Sequence, residues 1–140
     1  MNANDSRLAI SAARAGSTVP QQRFGTVKDR FNKGPLDFTT DVDLEAERVI
    51  RRIITDARPA DTVLGEENGI GGPPNATRRW IVDPLCGTQN YVDEVRFVAV
   101  NVALRTTHGL ETAAVADPFT DEVFWTHGDA ARVTVNGVDS

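Results

Sequence analysis

Three short acidic stretches carry residue types that could do chemistry together: LGEEN at Leu64–Asn68, VDPLCGT at Val82–Thr88, and LDFTTDVD at Leu36–Asp43. Each lies where a strand or helix pattern begins or ends. Carboxylates in such connections are exposed and can converge when their elements are neighbours. A hard cation such as Mg²⁺ takes oxygen donors, typically one or two carboxylates, with water and substrate phosphate completing its shell. Asp83 before Pro84 places a carboxylate at a rigid turn, and the carbonyl of Leu85 is a further oxygen. Gly87 permits close backbone approach, and if Thr88 opens a helix, its N–H groups form an anion site. Cation and phosphate would then sit side by side. The same residues also read as ordinary turn chemistry, and composition leaves both readings open.

The elements that must position these residues show in the periodicity. From Ser6 to about Val19 the chain is Ala-rich, with Leu8, Ala12 and Ala15 on one side, and reads as a helix that Pro20 ends or kinks. Between Asp41 and Arg58, Ala46, Val49, Ile50, Ile53, Ile54 and Ala57 recur at three- and four-residue spacing, the mark of a one-sided helix. Thr40 and Asp43 form a capping pair, acids crowd its start, and Arg51, Arg52 and Arg58 lie toward its end, as the helix dipole favours. After Pro59 the period becomes two. Strands are expected at Thr62–Leu64, Arg79–Val82, Phe97–Arg105, Leu110–Ala116, Glu122–Thr126 and Arg132–Val135, separated by turn material. The last four follow one another closely, which makes an antiparallel meander the economical topology. Two helices on an antiparallel sheet give an α+β fold.

Length and composition narrow the classes. A chain of 140 residues fits a single domain, 1–140, and folding at that size buries roughly two-thirds of the unfolded surface. With 40% hydrophobic and 25% charged residues it reads as an ordinary globular protein. No apolar run reaches spanning length and the N-terminus lacks the basic-then-apolar order of a signal peptide, so no membrane partner and a cytoplasmic location are expected. A single cysteine makes no internal disulfide. The two histidines, His108 and His127, both fall in expected turns and suggest no His-based metal site. A net charge of -5 argues against a nucleic-acid partner, which would need a basic stripe. Arg51-Arg52 and Arg78-Arg79 read as solvated surface or, alternatively, as local anion contacts.

In order and spacing, LGEEN, WIVDPLCGTQNYV and FVAV, preceded by LDFTTDVDLEAE, resemble the inositol monophosphatase family of Mg²⁺-dependent phosphomonoesterases. The resemblance runs from about Ala12 through VTVNG. It implies the first half of that family's αβαβα sandwich and hydrolysis of a small phosphorylated substrate, an inositol or sugar phosphate, by metal-activated water. Relatives with these motifs also take nucleotide bisphosphates, histidinol phosphate or fructose bisphosphate. The resemblance further implies Glu66 and Asp83 as Mg²⁺ ligands, with Leu85 lending its carbonyl. Glu66 and Thr88 would activate the water, the amides of Gly87 and Thr88 would hold phosphate, and Asp43 would lie near a third metal position. Lys33 and Asp37 sit in the preceding loop. Family members are commonly homodimers.

Two departures from the family pattern bear on activity. Cys86 stands where the motif Asp-Pro-x-Asp-Gly-Thr has its second aspartate. A thiol is a soft ligand, better matched to zinc than to Mg²⁺, and an ordinary cysteine is mostly protonated at neutral pH, so the second metal position is expected to be degenerate. The family's domain also continues beyond a segment of this length and brings a further aspartate ligand and much of the substrate wall. The chain is therefore expected to be truncated, weak or inactive, with sheet surface left open. The alternative expectation is a non-catalytic relative that binds phosphate or a partner. Cys86 as a phosphatase nucleophile is disfavoured, since the next arginine, Arg96, lies ten residues on.

Overall fold

Thr40 ends one element and starts the next. Its side chain accepts from the Asp43 backbone N–H, and the Asp43 carboxylate accepts in return from Thr40 N–H, closing a capping box at the head of a long helix. That helix, α2 (Asp41–Ala57), and the N-terminal α1 (Ala3–Gln22) pack on each other and on one face of a large sheet. The protein is described by a computed structural model covering residues 3–140.

In chain order the remaining elements are β1 (Arg30–Gly34), β2 (Asp37–Thr40), β3 (Thr62–Gly65), β4 (Gly69–Gly71), β5 (Arg79–Cys86), α3 (Thr88–Val92), β6 (Ala99–Thr106), β7 (Gly109–Asp117), β8 (Glu122–His127), β9 (Ala130–Val135) and β10 (Val138–Asp139). β1 and β2 form a separate antiparallel hairpin; the other eight strands make one sheet in the order β10-β9-β8-β7-β6-β5-β3-β4. The antiparallel meander expected of the last four sequence-read strands is present as β6 through β9, and β5 joins it antiparallel to β6. The sheet is not antiparallel throughout, because β3 pairs with β5 in parallel.

Several boundaries differ from the sequence reading. α1 does not stop before Pro20 but carries it inside and runs to Gln22. β5 continues past Val82 to Cys86 through a bulge, so Asp83 and Pro84 belong to a strand end rather than a free turn. His127 closes β8 and pairs with Ala130 instead of sitting in the turn, whereas His108 is in the turn before β7. β1 and β2 carry no strand alternation in the sequence: β1 is exposed along its whole length, β2 buries Phe38, Thr39 and Thr40 in succession, and the two are joined by a turn at Pro35-Leu36.

The core follows from the alternation. Trp80, Val82, Val100, Val102, Leu104, Ala114, Ala116, Val123 and Trp125 point to the helices and meet Ala9, Ala12, Ala13, Ile50 and Ile54. Their strand neighbours point the other way, and on that face Ile81, Val115 and Phe124 remain exposed, Phe124 by 52%. A second cluster of Val19, Val42, Ala46, Leu85, Tyr91 and Val98 lies beneath the end of β5. There the Tyr91 hydroxyl donates to the Pro20 carbonyl at 2.8 Å, tying α3 to α1. Among the described residues no helix is long and apolar enough to cross a membrane.

Small residues let the helices approach. At Gly16 on α1 an added Cβ would fall 2.5 Å from Cδ1 and Cγ1 of the fully buried Ile50. Gly16→Ala gains roughly 0.5–1 kcal/mol of helix propensity but forces overpacking that costs roughly 1–3 kcal/mol. The second effect is expected to win because Ile50 has no free side. Urea denaturation should show a net loss, and a variant as stable as the parent would mean that Ile50 repacks freely.

Candidate active site

The parallel pairing of β3 and β5 builds the site. Gly65 lies opposite Val82, and the Glu66 N–H donates to the Val82 carbonyl at 3.1 Å, so both strands end at one edge of the sheet with their acids adjacent. The Glu66 and Asp83 carboxyl groups are near enough to influence each other's protonation. Burial, together with the hydrogen bond to Asp83 and its charge, pushes Glu66 up to about 7, against a smaller opposing pull from Lys33. A bound cation would reverse that shift, because it stabilises both carboxylates in their charged form.

The next residues are set by the turn chemistry of the β5 end. Asp83 Oδ1 accepts from the Leu85 N–H at 3.3 Å, while the Leu85 side chain is locked in the second core cluster. Gly87 follows with φ of 95°, and a Cβ there would approach the Phe97 carbonyl to 2.8 Å, so no other residue fits without strain. α3 then begins at Thr88, which meets the condition the sequence reading set for an anion site. The Thr88 hydroxyl lies 3.0 Å from Asp43 Oδ1 and 3.1 Å from the Leu85 carbonyl. A hydroxyl has one proton, so donation to Asp43 leaves the Leu85 carbonyl free to accept elsewhere.

Asp37, Glu66, Asp83, Cys86, Gly87 and Thr88 thus line one cleft of about 290 Å³. Asp43 is the exception among the sequence-selected residues. Its side chain is fully buried behind Thr88, with its oxygens engaged by Thr40 and Thr88, and burial raises its pKa despite those bonds. It orients Thr88 instead of opening onto the cleft. Among the described residues no cluster of three or more His, Cys, Asp or Glu side chains is spaced to hold a metal ion, so a cation here would rest on two carboxylates and the Leu85 carbonyl.

Cys86 is exposed, yet partial burial of its thiol raises the pKa, and the Asp83 and Glu66 carboxylates raise it further. That is the opposite of an activated cysteine, which needs positive surroundings. Alkylation by iodoacetamide should therefore show an inflection above the ordinary cysteine value in the metal-free protein; an inflection below pH ~8 would mean an activated thiolate.

A sequence model described as the inositol monophosphatase family matches residues 2–138. The chain belongs to the inositol monophosphatase family. It is 38% identical over 119 residues to an inositol-1-monophosphatase of Caulobacter vibrioides, a match covering 83% of this chain and 46% of that protein. It is 34% identical over 129 residues to the Nus factor SuhB of Salmonella typhimurium, covering 90% of this chain and 48% of the relative. The crystal structure of the extragenic suppressor protein SuhB from Bartonella henselae superimposes with a TM-score of 0.87 at 27% identity, covering 96% of this chain and 52% of that one. The chain therefore spans about half the length of the relatives it matches.

Within this family background, sequence reasoning left the residues that support the acids without a role, and it placed Lys33 in a loop where the structure has a strand. Lys33, on the β1–β2 hairpin, places its ammonium 3.8 Å from Glu66 and 3.0 Å from Glu67. Burial works against that ammonium, but Glu67, Glu66 and Asp37 outweigh it and raise its pKa. Neither Arg51 nor Arg78 is merely solvated: Arg51 pairs with Glu47 and the Gly69 carbonyl, and Arg78 with Asp5 and Asp61. Glu47 gave a readable signal. It shares the stripe of Asp43, Ile50 and Ile54 on α2, and a charge inside an apolar stripe implies a buried partner.

Proposed function

We propose that this chain carries the metal- and phosphate-binding part of an inositol monophosphatase-type phosphomonoesterase, specific for a small phosphate monoester such as an inositol or sugar phosphate. The observation behind this reading is the convergence of Glu66, Asp83, Gly87 and Thr88 on one cleft. Glu66, Asp83 and the Leu85 carbonyl form an all-oxygen donor set that suits one Mg²⁺, with water and substrate filling the remaining positions. When bound, the cation lowers the pKa of water and offsets phosphate charge. The backbone amides of Gly87 and Thr88 hold the phosphate. The Thr88 hydroxyl, aimed by Asp43, orients the attacking water, and Glu66 receives its proton.

The set does not fit a second hard cation. Cys86 offers a soft sulfur whose proton is held more tightly than usual, and the turnover we assign is correspondingly weak. The same observation favours a second reading, in which the chain binds phosphate or a partner without turnover.

Phosphate release from inositol monophosphate, a nucleotide bisphosphate and an aryl phosphate, with and without Mg²⁺, separates them. Slow release that requires Mg²⁺ and disappears in Glu66→Gln is the expected result. Release independent of Mg²⁺ would overturn the metal-assisted reading. Silence on all three substrates, with a melting temperature that still rises on adding Mg²⁺, would establish binding without turnover.

A further inference from the structure

Glu47 has a buried carboxylate that the chemistry above does not use. It sits on α2 with 0% of its surface exposed, beside the apolar positions of the helix, where an unpartnered charge would be costly. Its partners are not core groups. Oε1 accepts from the Glu67 backbone N–H at 2.8 Å, and Oε2 accepts from the Asn68 backbone N–H at 2.9 Å and from Asn68 Nδ2 at 2.6 Å. Arg51, one turn further along α2, donates to Glu47 Oε2 from Nε at 3.3 Å and reaches the Gly69 carbonyl with its other end.

The strand is shaped to receive this clamp. A Cβ at Gly65 would fall 2.3 Å from Glu47 Oε1 and 2.7 Å from an Arg51 guanidinium nitrogen. Only a residue without a side chain lets the carboxylate pass beneath the end of β3. Glu66 is therefore held from both sides, by its own N–H on Val82 and by the next two amides on Glu47.

We propose that Glu47 is a positioning residue that presents Glu66 to the cation, an inference that rests on reading Glu66 as a ligand. Groups that orient ligands from behind typically change metal affinity by about 10–100-fold when lost. The probe is Mn²⁺, titrated into the whole 140-residue chain and read from the electron paramagnetic resonance of the free ion. Glu47→Gln keeps one acceptor but turns an amide donor toward the loop N–H groups, and should weaken Mn²⁺ binding about tenfold or more. Gly65→Ala displaces the same carboxylate without touching Glu66 and should do likewise.

Glu47→Gln that lowers the metal-free melting temperature yet binds Mn²⁺ as the parent does would make the role structural and overturn the proposal. If Glu47→Gln does not fold, Gly65→Ala decides on the same criterion. In the unaltered protein the Glu67 and Asn68 amide protons should exchange as slowly as those of β3, and free exchange there would overturn the clamp whatever the variants do. Glu66→Gln is the separate control. If it binds Mn²⁺ as tightly as the parent, or the parent binds none, the reading of Glu66 as a ligand fails first and takes the proposal with it.

Discussion

Asp83→Asn is expected to lower divalent-cation affinity by about a hundredfold or more, beyond the range typical of losing an outer partner. The substitution is selective. Asn keeps an oxygen that can accept from the Leu85 N–H, as Asp83 Oδ1 does at 3.3 Å, so the turn is preserved while the charge is removed. Calorimetric titration with Mg²⁺ or Mn²⁺ measures the loss, and unchanged affinity would exclude Asp83 from the donor set. A pH effect accompanies it. In the metal-free fold Glu66 holds its proton up to about 7, against an ordinary value of 4.5. Its contribution to stability is thus complete below that ordinary value and is lost as the pH rises through about 7. Removing the Asp83 charge takes away one cause of the shift, so melting temperatures of the variant should vary less across this window.

Cys86→Asp should act in the opposite direction on metal and against the apo fold. A third carboxylate beside Glu66 and Asp83 adds repulsion when no cation is present, so the metal-free melting temperature should fall. With Mg²⁺ the new oxygen joins a hard donor set, and cation affinity should rise roughly tenfold or more, widening the metal-induced gain in melting temperature by linkage. Titration should also show a second equivalent bound. If stoichiometry and affinity match those of the parent, position 86 does not face a cation, and the weak turnover assigned to Cys86 loses its explanation. Increased Mg²⁺-dependent phosphate release in the same variant would connect the thiol directly to that weakness.

Much of the scaffold was legible because it rests on local chemistry. The α2 stripe and the Thr40–Asp43 capping box are properties of one helix, and β6 through β9 are joined by short turns that leave little choice of neighbour. The β1–β2 hairpin was missed because neither strand alternates, β1 being exposed throughout and β2 burying three residues in a row, and β5 was cut short because Pro84 is a turn signal that the bulge overrides. Arg78 was misread for a similar reason. Its role depends on Asp5 and Asp61, which lie far from it in the chain and meet it only after packing.

By itself the sequence determined the chemical types at the site, a glycine at position 87 that permits close backbone approach, and the soft residue at position 86, while a helix beginning at Thr88 was only one of its open readings. It did not determine that Glu66 and Asp83 meet. That depends on β3 lying parallel to β5, a pairing between segments separated by the β4 excursion, with no hairpin turn to announce it. Nor did it reveal that Asp43 faces Thr88 or that Glu47 holds the Glu66 loop, because both carboxylates are buried by a helix packing across the sheet edge. Local periodicity specifies which way a side chain points from its own element, and only the packed arrangement specifies what it meets.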